Sequence, residues 1–490
     1  MPGGLFNLRK RNEVNNVEYL KEPSSRSLIL KRYMLAVAVF FIVAIGVYRA
    51  AVSSKSDNLL YPNKGIRLSN GTNTFLPTVI MISLDGFRAD YMYRGHTPNL
   101  LQLAEKNAHA PFMVPVFPSI TFPNHYSLAT GVYPENHGMV SNNFYDPISG
   151  KYFVNTRPEC NQDPSWWTQA EPIWINAERH SIRSAIHMWP GNEVAHDGIR
   201  PSYYTSFNAS VTLKEKKDEL LHWLDHADDT RPQLLMCYVP HVDSVGHTFG
   251  PDSSQLDLML REVDQMIGRL LEGIRQRNLQ DIVNVIFVSD HGMAPTSNNR
   301  LLWLDDLLNV SKIEFRDGWP LAGFRGETGS DETYIADSLR NATSESLPGT
   351  EYWRSLTKEE FPEKLHYSKN DRIAPVWMIP NPGWSIVSSL DHSPDVEYEP
   401  YGVHGYDNTS PLMRAIFTAF GPAFEPFKSK QIIPFRNIEV YDIISYILNM
   451  PANPTNSSFH GAIPTKRTSN STKEWLLHDI KQAYNELEAR

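Results

Sequence analysis

The segment TVIMISLDGFR, residues 78–88, decides how the fold is interpreted. Its first seven residues are mostly apolar and uncharged, which predicts a strand buried on both faces, and Asp85-Gly86 ends it. Similar runs predict three further buried strands: LLMCYV at 234–239, VNVIFVS at 283–289 and RAIFTA at 414–419. Apolar residues at helical spacing over 256–274 and Leu213–Ala227 predict helices between them. The alternation predicts an α/β fold with a central, mostly parallel β-sheet flanked by helices.

Three of the predicted strands are followed by an aspartate. Asp85 follows the first, Asp243 and then His247 follow the second, and Asp290-His291 follows the third. Each alone fits a turn or a helix cap, but the carboxyl ends of parallel strands line one crevice. Carboxylates that converge there repel one another unless a divalent cation lies between them. Asp with His and without Cys favours zinc, or a related ion, in a catalytic site.

Composition excludes several classes of protein. The 490 residues are 41% hydrophobic and 21% charged, which rules out a disordered chain, and the net charge of −9 predicts no nucleic-acid-binding surface. Two cysteines, Cys160 and Cys237, cannot form a disulfide framework. No composition break divides residues 77–450, which we therefore expect to form a single catalytic domain.

The N-terminal region has the pattern of a membrane anchor. The stretch YMLAVAVFFIVAIGVYRAAV, residues 33–52, is long enough to cross a bilayer as a transmembrane signal anchor, and its leader is long for a cleaved signal peptide. Basic residues in the preceding 1–32 predict a cytoplasmic tail and a type II topology, with the catalytic domain lumenal or extracellular. Polar residues 53–76 predict a stalk, and 451–490 a C-terminal tail with one amphipathic helix. Glycosylation sequons all lie beyond the anchor, at Asn70, Asn208, Asn309, Asn341, Asn408, Asn456 and Asn470.

A candidate nucleophile lies in PVFPSITFPNHYSLATGVYPENHGMVSNNFYDP, residues 115–147, which contains Thr121. A threonine hydroxyl attacks poorly unless a metal or a base lowers its pKa. At a helix N-terminus beside a cation, Thr121 would gain both a metal and backbone dipoles that favour a phosphate.

Together these motifs resemble the nucleotide pyrophosphatase/phosphodiesterase family of the alkaline phosphatase superfamily, in particular its single-pass membrane fungal-type members. The resemblance is carried by TFPNHYSLATGVYPENHG, LDGFR at 84–88, D-x-x-G-H-x-x-G-P at 243–251, SDHGM at 289–293 and HGYDN at 404–408. It implies an alkaline phosphatase-like fold and nucleotides as small-molecule substrates.

The resemblance also implies two zinc ions and the residues that serve them. One zinc would be held by Asp243, His247 and His404, and the other by Asp85, Asp290, His291 and the Thr121 oxygen. Asn142 matches the family asparagine that donates to a phosphate oxygen, and Tyr203, Tyr204 and Phe207 fall where relatives stack a base. Thr121 would attack phosphorus to give a threonyl-phosphate that is then hydrolysed.

Two departures concern the choice of substrate. Pro240-His241-Val242-Asp243 replaces an E-E-P-D run of animal members, and Ile120 stands where some carry lysine. A phospholipid or glycerophosphodiester phosphodiesterase therefore remains an alternative, as does a catalytically silent surface binding protein. No protein partner is predicted.

Overall fold

The computed structural model describes residues 67–428, 431–459, 463, 465–466 and 472–488. The predicted anchor, residues 33–52, lies outside them, and no helix among the described residues combines the length and hydropathy needed to cross a membrane. Within the described ranges, ten strands form the central sheet: β1 (Thr78–Leu84), β2 (Ala108–Val114), β3 (Ser184–His187), β4 (Tyr203–Thr205), β5 (Leu234–Val239), β6 (Val283–Val288), β7 (Ala415–Phe420), β8 (Gln431–Ile432), β9 (Phe435–Arg436) and β10 (Thr465–Lys466).

The central sheet is mixed in direction. Its order is β10-β8-β2-β7-β6-β1-β5-β3-β4, with β9 also paired to β2. The half from β6 to β4 is parallel, as predicted, but β7 runs antiparallel to both β6 and β2. The run RAIFTA indicates a buried strand and not its direction, because direction depends on how the chain returns to the sheet. Six of the nine strand pairings among the described residues are parallel, so the sheet is mostly parallel as predicted, although it is mixed in direction.

Helices cover both faces of the sheet. The α-helices are α1 (Pro98–Lys106), α2 (Thr121–Thr130), α3 (Pro134–His137), α4 (Pro158–Gln162), α5 (Ile173–Arg179), α6 (Leu213–Leu224), α7 (His241–Phe249), α8 (Ser254–Gln276), α9 (Gly329–Ser344), α10 (Glu439–Ile447) and α11 (Thr472–Glu488). Ile80 and Ile82 of β1 pack with α1, α6 and α8, whereas Val79 and Met81 pack with α2, α5 and α10. Because both faces are covered, β1 is apolar throughout, as its sequence indicates.

Smaller sheets and short 3₁₀ helices complete the domain. The strand pairs are Leu68–Ser69 with Thr74–Phe75, Asn143–Asp146 with Lys151–Val154, Ala294–Pro295 with Gly402–Val403, and Leu301–Trp303 with Ser385–Val387. A four-stranded sheet has the order Phe315–Asp317, Ala322–Arg325, Val376–Pro380, Trp353–Thr357. The 3₁₀ helices are Ala89–Tyr93, Pro164–Trp166, Leu304–Asp306, Val310–Lys312, Thr350–Tyr352, Lys358–Glu360, Glu363–Leu365, Pro411–Met413 and Pro422–Phe427.

The folded domain extends beyond 77–450 at both ends. Residues 67–76, expected to belong to the stalk, include a strand pair whose Phe75 is buried beneath the guanidinium of Arg231, 4.0 Å from the ring centroid. At the other end, α11 buries Leu476 and Ile480 against the domain. Polar composition therefore extended the predicted stalk, residues 53–76, over residues 67–76 that belong to the folded domain.

Candidate active site

Two loops that carry candidate metal ligands follow neighbouring strands and lie at the same edge of the sheet. Asp85 directly follows β1, and Asp290-His291 follows β6, which is parallel to β1 and paired with it. Gly86 turns the first loop with φ +66°, and a Cβ there would lie 2.9 Å from the Cα of Asp243. Only glycine allows the loop to pass this close to Asp243. The sequence Asp85-Gly86 therefore both ends the strand and lets the Asp243 carboxylate lie beside that of Asp85.

The third carboxylate lies on a helix rather than directly at a strand end. Asp243 is in the first turn of α7, and His247 is one turn later on the same face, with Nε2 3.4 Å from Asp243 Oδ2. The Gly402–Val403 strand packs so closely on α7 that a Cβ on Gly402 would lie 2.4 Å from the Gly246 carbonyl oxygen. That contact brings His404 Nε2 to 3.2 Å from His247 Nε2.

The side chains form two groups that share one carboxylate. Ligand atoms of Asp243, His247 and His404 lie within 4.8 Å of one another, and so do those of Asp85, Asp243 and His291. Asp290 adjoins the second group, since its Oδ2 is 2.9 Å from His291 Nε2. The structure thus brings together all six Asp and His side chains named from the sequence, with Asp243 common to both groups.

The hydrogen bonds around the three imidazoles suit metal ligation. Each Nδ1 lies within hydrogen-bond distance of a backbone carbonyl, which can only accept: Gly402 for His247 at 2.7 Å, Ser119 for His404 at 3.0 Å and Gly292 for His291 at 2.9 Å. Protonation at Nδ1 leaves the Nε2 lone pair facing the site. The Nε2 atoms of His247 and His404 are 3.2 Å apart, and their lone pairs repel unless a proton or a cation lies between them.

The environment of the carboxylates also suits metal binding. Among the described residues, Oδ1 of Asp85 and of Asp243 are buried without a hydrogen-bond partner. Burial, and then repulsion from Asp243 and Asp290, raises the pKa of Asp85 well above its usual value, and burial raises the pKa of Asp243 as well. Burial followed by the neighbouring imidazoles holds the pKa of His404 well below its usual range. The negative charges of Asp85 and Asp243 are therefore not compensated by neighbouring protein groups. Divalent cations bound between them would coordinate the unpaired carboxylate oxygens and imidazole nitrogens.

Thr121 lies beside the second group. It is the first residue of α2, is 7% exposed, and its Oγ1 is 3.2 Å from His291 Nε2. Asn142 accepts a hydrogen bond from the Phe122 backbone N–H through Oδ1 at 3.0 Å, which leaves its Nδ2 as a donor. His125 lies one turn after Thr121 and bridges Ser83, the Thr121 carbonyl and Asp290, so it is a hydrogen-bonding residue behind the site.

A pocket of about 520 Å³ opens above these groups. Its wall is aromatic and amide-rich: Phe122, Asn155, Asn161, Trp189, Phe207 and Tyr238 are among the lining residues. Phe207 is thus at the pocket, whereas Tyr203 and Tyr204 lie outside its lining. The Tyr203 hydroxyl donates to the Thr230 carbonyl at 3.0 Å, and the Tyr204 side chain is 43% exposed. Because side chains alternate along a strand, the consecutive Tyr203 and Tyr204 of β4 point to opposite faces.

Two residues of the site were not found from the sequence. The Tyr238 hydroxyl donates to Oδ2 of Asp85, yet Tyr238 lies within the apolar run LLMCYV, where it reads as core. Trp189 belongs to none of the motifs quoted above; it lines the pocket and its Nε1 donates to the His125 carbonyl at 3.1 Å. The polar atom of each ring was the available signal, because buried Tyr and Trp normally find a hydrogen-bond partner.

The chain is similar to known phosphodiesterases over most of its length. The sequence model described as type I phosphodiesterase/nucleotide pyrophosphatase matches residues 79–407. An uncharacterised pyrophosphatase/phosphodiesterase of Schizosaccharomyces pombe is 57% identical over 478 residues, which are 97% of this chain and 99% of that relative. Ectonucleotide pyrophosphatase/phosphodiesterase family member 3 of Bos taurus is 36% identical over 391 residues, 79% of this chain but only 44% of the bovine protein.

Solved structures give the same assignment. Murine ectonucleotide pyrophosphatase/phosphodiesterase 5 superposes with a TM-score of 0.71 and 31% identity, covering 79% of this chain and 100% of the murine chain. An inactive threonine-to-alanine variant of that murine protein, in complex with AMP, superposes with a TM-score of 0.70. From the matched motifs, the mixed α/β fold and these relatives, we conclude that the chain belongs to the type I phosphodiesterase/nucleotide pyrophosphatase family, a family of phosphodiesterase I type hydrolases.

Proposed function

We propose that the protein is a two-zinc hydrolase that cleaves phosphodiester and pyrophosphate bonds of nucleotides and their derivatives, releasing nucleoside 5'-monophosphates through a threonyl-phosphate on Thr121. The observation that carries this proposal is the position of Thr121 Oγ1, 3.2 Å from His291 Nε2 at the base of the pocket. A hydroxyl at a helix N-terminus beside carboxylates and imidazoles combines a nucleophile with the donors of a dinuclear site.

The metals would be held by two sets of side chains. Asp243, His247 and His404 suit one ion, and Asp85, Asp290, His291 and Thr121 suit the other, with Asp243 also close enough to contribute to the second. Imidazole and carboxylate ligands without thiolate favour zinc in an open, catalytic arrangement. Bound there, the ions would lower the pKa of the Thr121 hydroxyl and stabilise negative charge on the phosphate and on the leaving oxygen.

The chain's own groups account for the remaining steps. The Thr121 oxygen attacks phosphorus, the bond from phosphorus to the leaving oxygen breaks, and the nucleotidyl group is left as an ester of Thr121. The Asn142 Nδ2 is free to donate to a phosphate oxygen, because its Oδ1 is engaged by the Phe122 N–H. A water molecule then attacks the phosphorus, releasing the nucleoside monophosphate and restoring the threonine hydroxyl.

The pocket wall favours a nucleotide over a lipid head group. Phe122 and Phe207 provide flat apolar faces, and Asn155 and Asn161 provide amide donors and acceptors for a base. The AMP complex of the murine relative supports the same substrate class for this chain.

Phe207 gives the first test of base recognition. Phe207→Ala should raise KM for p-nitrophenyl thymidine monophosphate about tenfold, since stacking of a base on an aromatic ring contributes about 1–3 kcal/mol. Hydrolysis of bis(p-nitrophenyl) phosphate, which has no base, should change little. Tyr204→Ala is the matched control, because Tyr204 is close in sequence but outside the pocket lining. Equal losses on both substrates would argue against stacking.

The substrate class itself is tested with the purified full-length protein and added zinc. We expect turnover of p-nitrophenyl thymidine monophosphate and of ATP, with a nucleoside 5'-monophosphate as the product identified by chromatography. Release of choline phosphate from lysophosphatidylcholine without nucleotide cleavage would favour the lipid alternative. The absence of turnover on every substrate would favour a silent binding protein.

We propose that the catalytic domain lies outside the cytosol behind an N-terminal membrane anchor. The sequons at Asn208, Asn309, Asn341 and Asn456 are on exposed residues, and Asn70 is half-buried. Asn408 does not fit the predicted role: it is buried, and its Nδ2, the atom that would carry a glycan, donates to the Pro115 carbonyl at 2.8 Å. Asn470 lies outside the described residues.

Glycosylation therefore gives a position-specific prediction. Endoglycosidase treatment of the protein from a eukaryotic host should increase its electrophoretic mobility. Asn341→Gln should remove one such increment, because Asn341 is exposed on α9, whereas Asn408→Gln should remove none. A protein with no endoglycosidase-sensitive shift at all would contradict the proposed compartment.

A further inference from the structure

A buried guanidinium links the two loops that carry the second ligand group. Arg88 lies three residues after Asp85 and is 0% exposed. Its Nε donates to Asp90 at 2.5 Å, and its Nη1 donates to the Met293 carbonyl at 2.5 Å. Met293 lies three residues after Asp290, so the Arg88 side chain, which belongs to the first loop, is hydrogen-bonded to the backbone of the second.

The C-terminal helix extends this linkage to a third segment. Arg88 Nη1 also donates to the hydroxyl of Tyr484 on α11 at 3.0 Å, and that hydroxyl donates to Asp252 Oδ2 at 2.6 Å. Asp252 lies three residues beyond the end of α7, the helix that carries Asp243 and His247. Burial raises the pKa of Tyr484 to about 12, so its hydroxyl keeps the proton that it donates.

The position of α11 does not depend on Tyr484 alone. Leu476 and Ile480 are buried against the domain, and Asp479 accepts from Arg414, the residue before β7, at 2.8 Å. Loss of the Tyr484 hydroxyl should therefore interrupt the network without detaching the helix.

We propose that Arg88 and Tyr484 are positioning residues for the metal site, and that α11 is a clamp holding the three ligand-bearing segments at fixed separations. This proposal rests on the two-metal function proposed above. The clamp lies beyond residues 79–407, the part of the chain that the family's sequence model matches. Its effect would be on the geometry of the ligands, because the network touches backbone carbonyls and carboxylates behind the site rather than the reacting atoms.

The test is zinc release from the full-length protein. Tyr484→Phe keeps the ring and removes the hydroxyl, and we expect its zinc to pass to an excess chelator about tenfold faster than zinc from the wild type, the lower range for supporting residues around a metal. Tyr441→Phe is the matched control, because the Tyr441 hydroxyl is also buried and hydrogen-bonded, to Asn176, but lies on α10 at the opposite face of the sheet.

Thermal unfolding separates positioning from general stability. Zinc binding to the native state raises the unfolding temperature, and this increment should shrink in Tyr484→Phe but not in Tyr441→Phe, while the metal-free midpoints of the two variants stay close. Release from Tyr484→Phe at the wild-type rate would overturn the clamp and leave the proposed function intact. A wild type that binds no zinc would instead overturn the proposed function.

Discussion

Thr121→Ala should lower kcat for p-nitrophenyl thymidine monophosphate by at least about 10⁴-fold, the scale seen when the nucleophile of a covalent mechanism is removed. The change deletes the only atom that can form the threonyl-phosphate. The site around it should persist, because six Asp and His side chains remain and Thr121 packs as the first residue of α2. Steady-state kinetics and zinc content, measured on the same preparation, check both expectations.

Two variants control this experiment. Thr130→Ala removes another buried hydroxyl from the same helix, one that donates to the Tyr126 carbonyl at 2.7 Å, and should leave kcat within a few-fold. Thr121→Ser keeps a hydroxyl and should retain measurable turnover. If Thr121→Ala retained wild-type turnover with zinc bound, the nucleophile assignment would be wrong.

Asp243→Ala should remove both zinc ions, whereas Asp85→Ala should remove one. Asp243 is common to the two ligand groups, because its carboxylate lies within 4.8 Å of the ligand atoms of His247 and His404 and also of those of Asp85 and His291. Losing both ions removes several kcal/mol of charge stabilisation, so kcat/KM should fall at least about 10³-fold. Elemental analysis of the purified variants gives the zinc content directly.

A buried carboxylate elsewhere provides the control for Asp243. Asp264 accepts from the Leu100 N–H at 2.9 Å and lies on α8, so Asp264→Asn should reduce stability without changing the zinc content. Retention of one zinc by Asp243→Ala would mean that Asp243 serves a single ion, as the sequence-based assignment had it.

The sequence predicted most of the frame of the site. The strands at 78–84 and 234–239 have the observed bounds, because a run buried on both faces leaves a continuous apolar signal. Asp85 and Asp290 could be assigned to one crevice, since strand ends of parallel neighbours share an edge. His404 follows a two-residue strand with no such signal, and only the family resemblance pointed to it.

What the sequence could not supply depends on contacts distant along the chain. The direction of β7 and the packing of α11 follow from how remote segments meet, and neither leaves a local pattern. Tyr238 reads as a core residue until its hydroxyl is seen to reach Asp85. Asn408 satisfies the sequon pattern, but its side-chain amide is buried and donates a hydrogen bond inside the fold.

The position of β7 sets a minimum length for the enzyme. The match to the family's sequence model ends at residue 407, yet Ala415–Phe420 lies between β2 and β6 in the middle of the sheet. A chain shortened to residues 79–407 would lack β7 and leave the facing edges of β2 and β6 unpaired, and unpaired strand edges promote aggregation. The segment that the family's sequence model matches is therefore shorter than the segment needed to complete the central sheet.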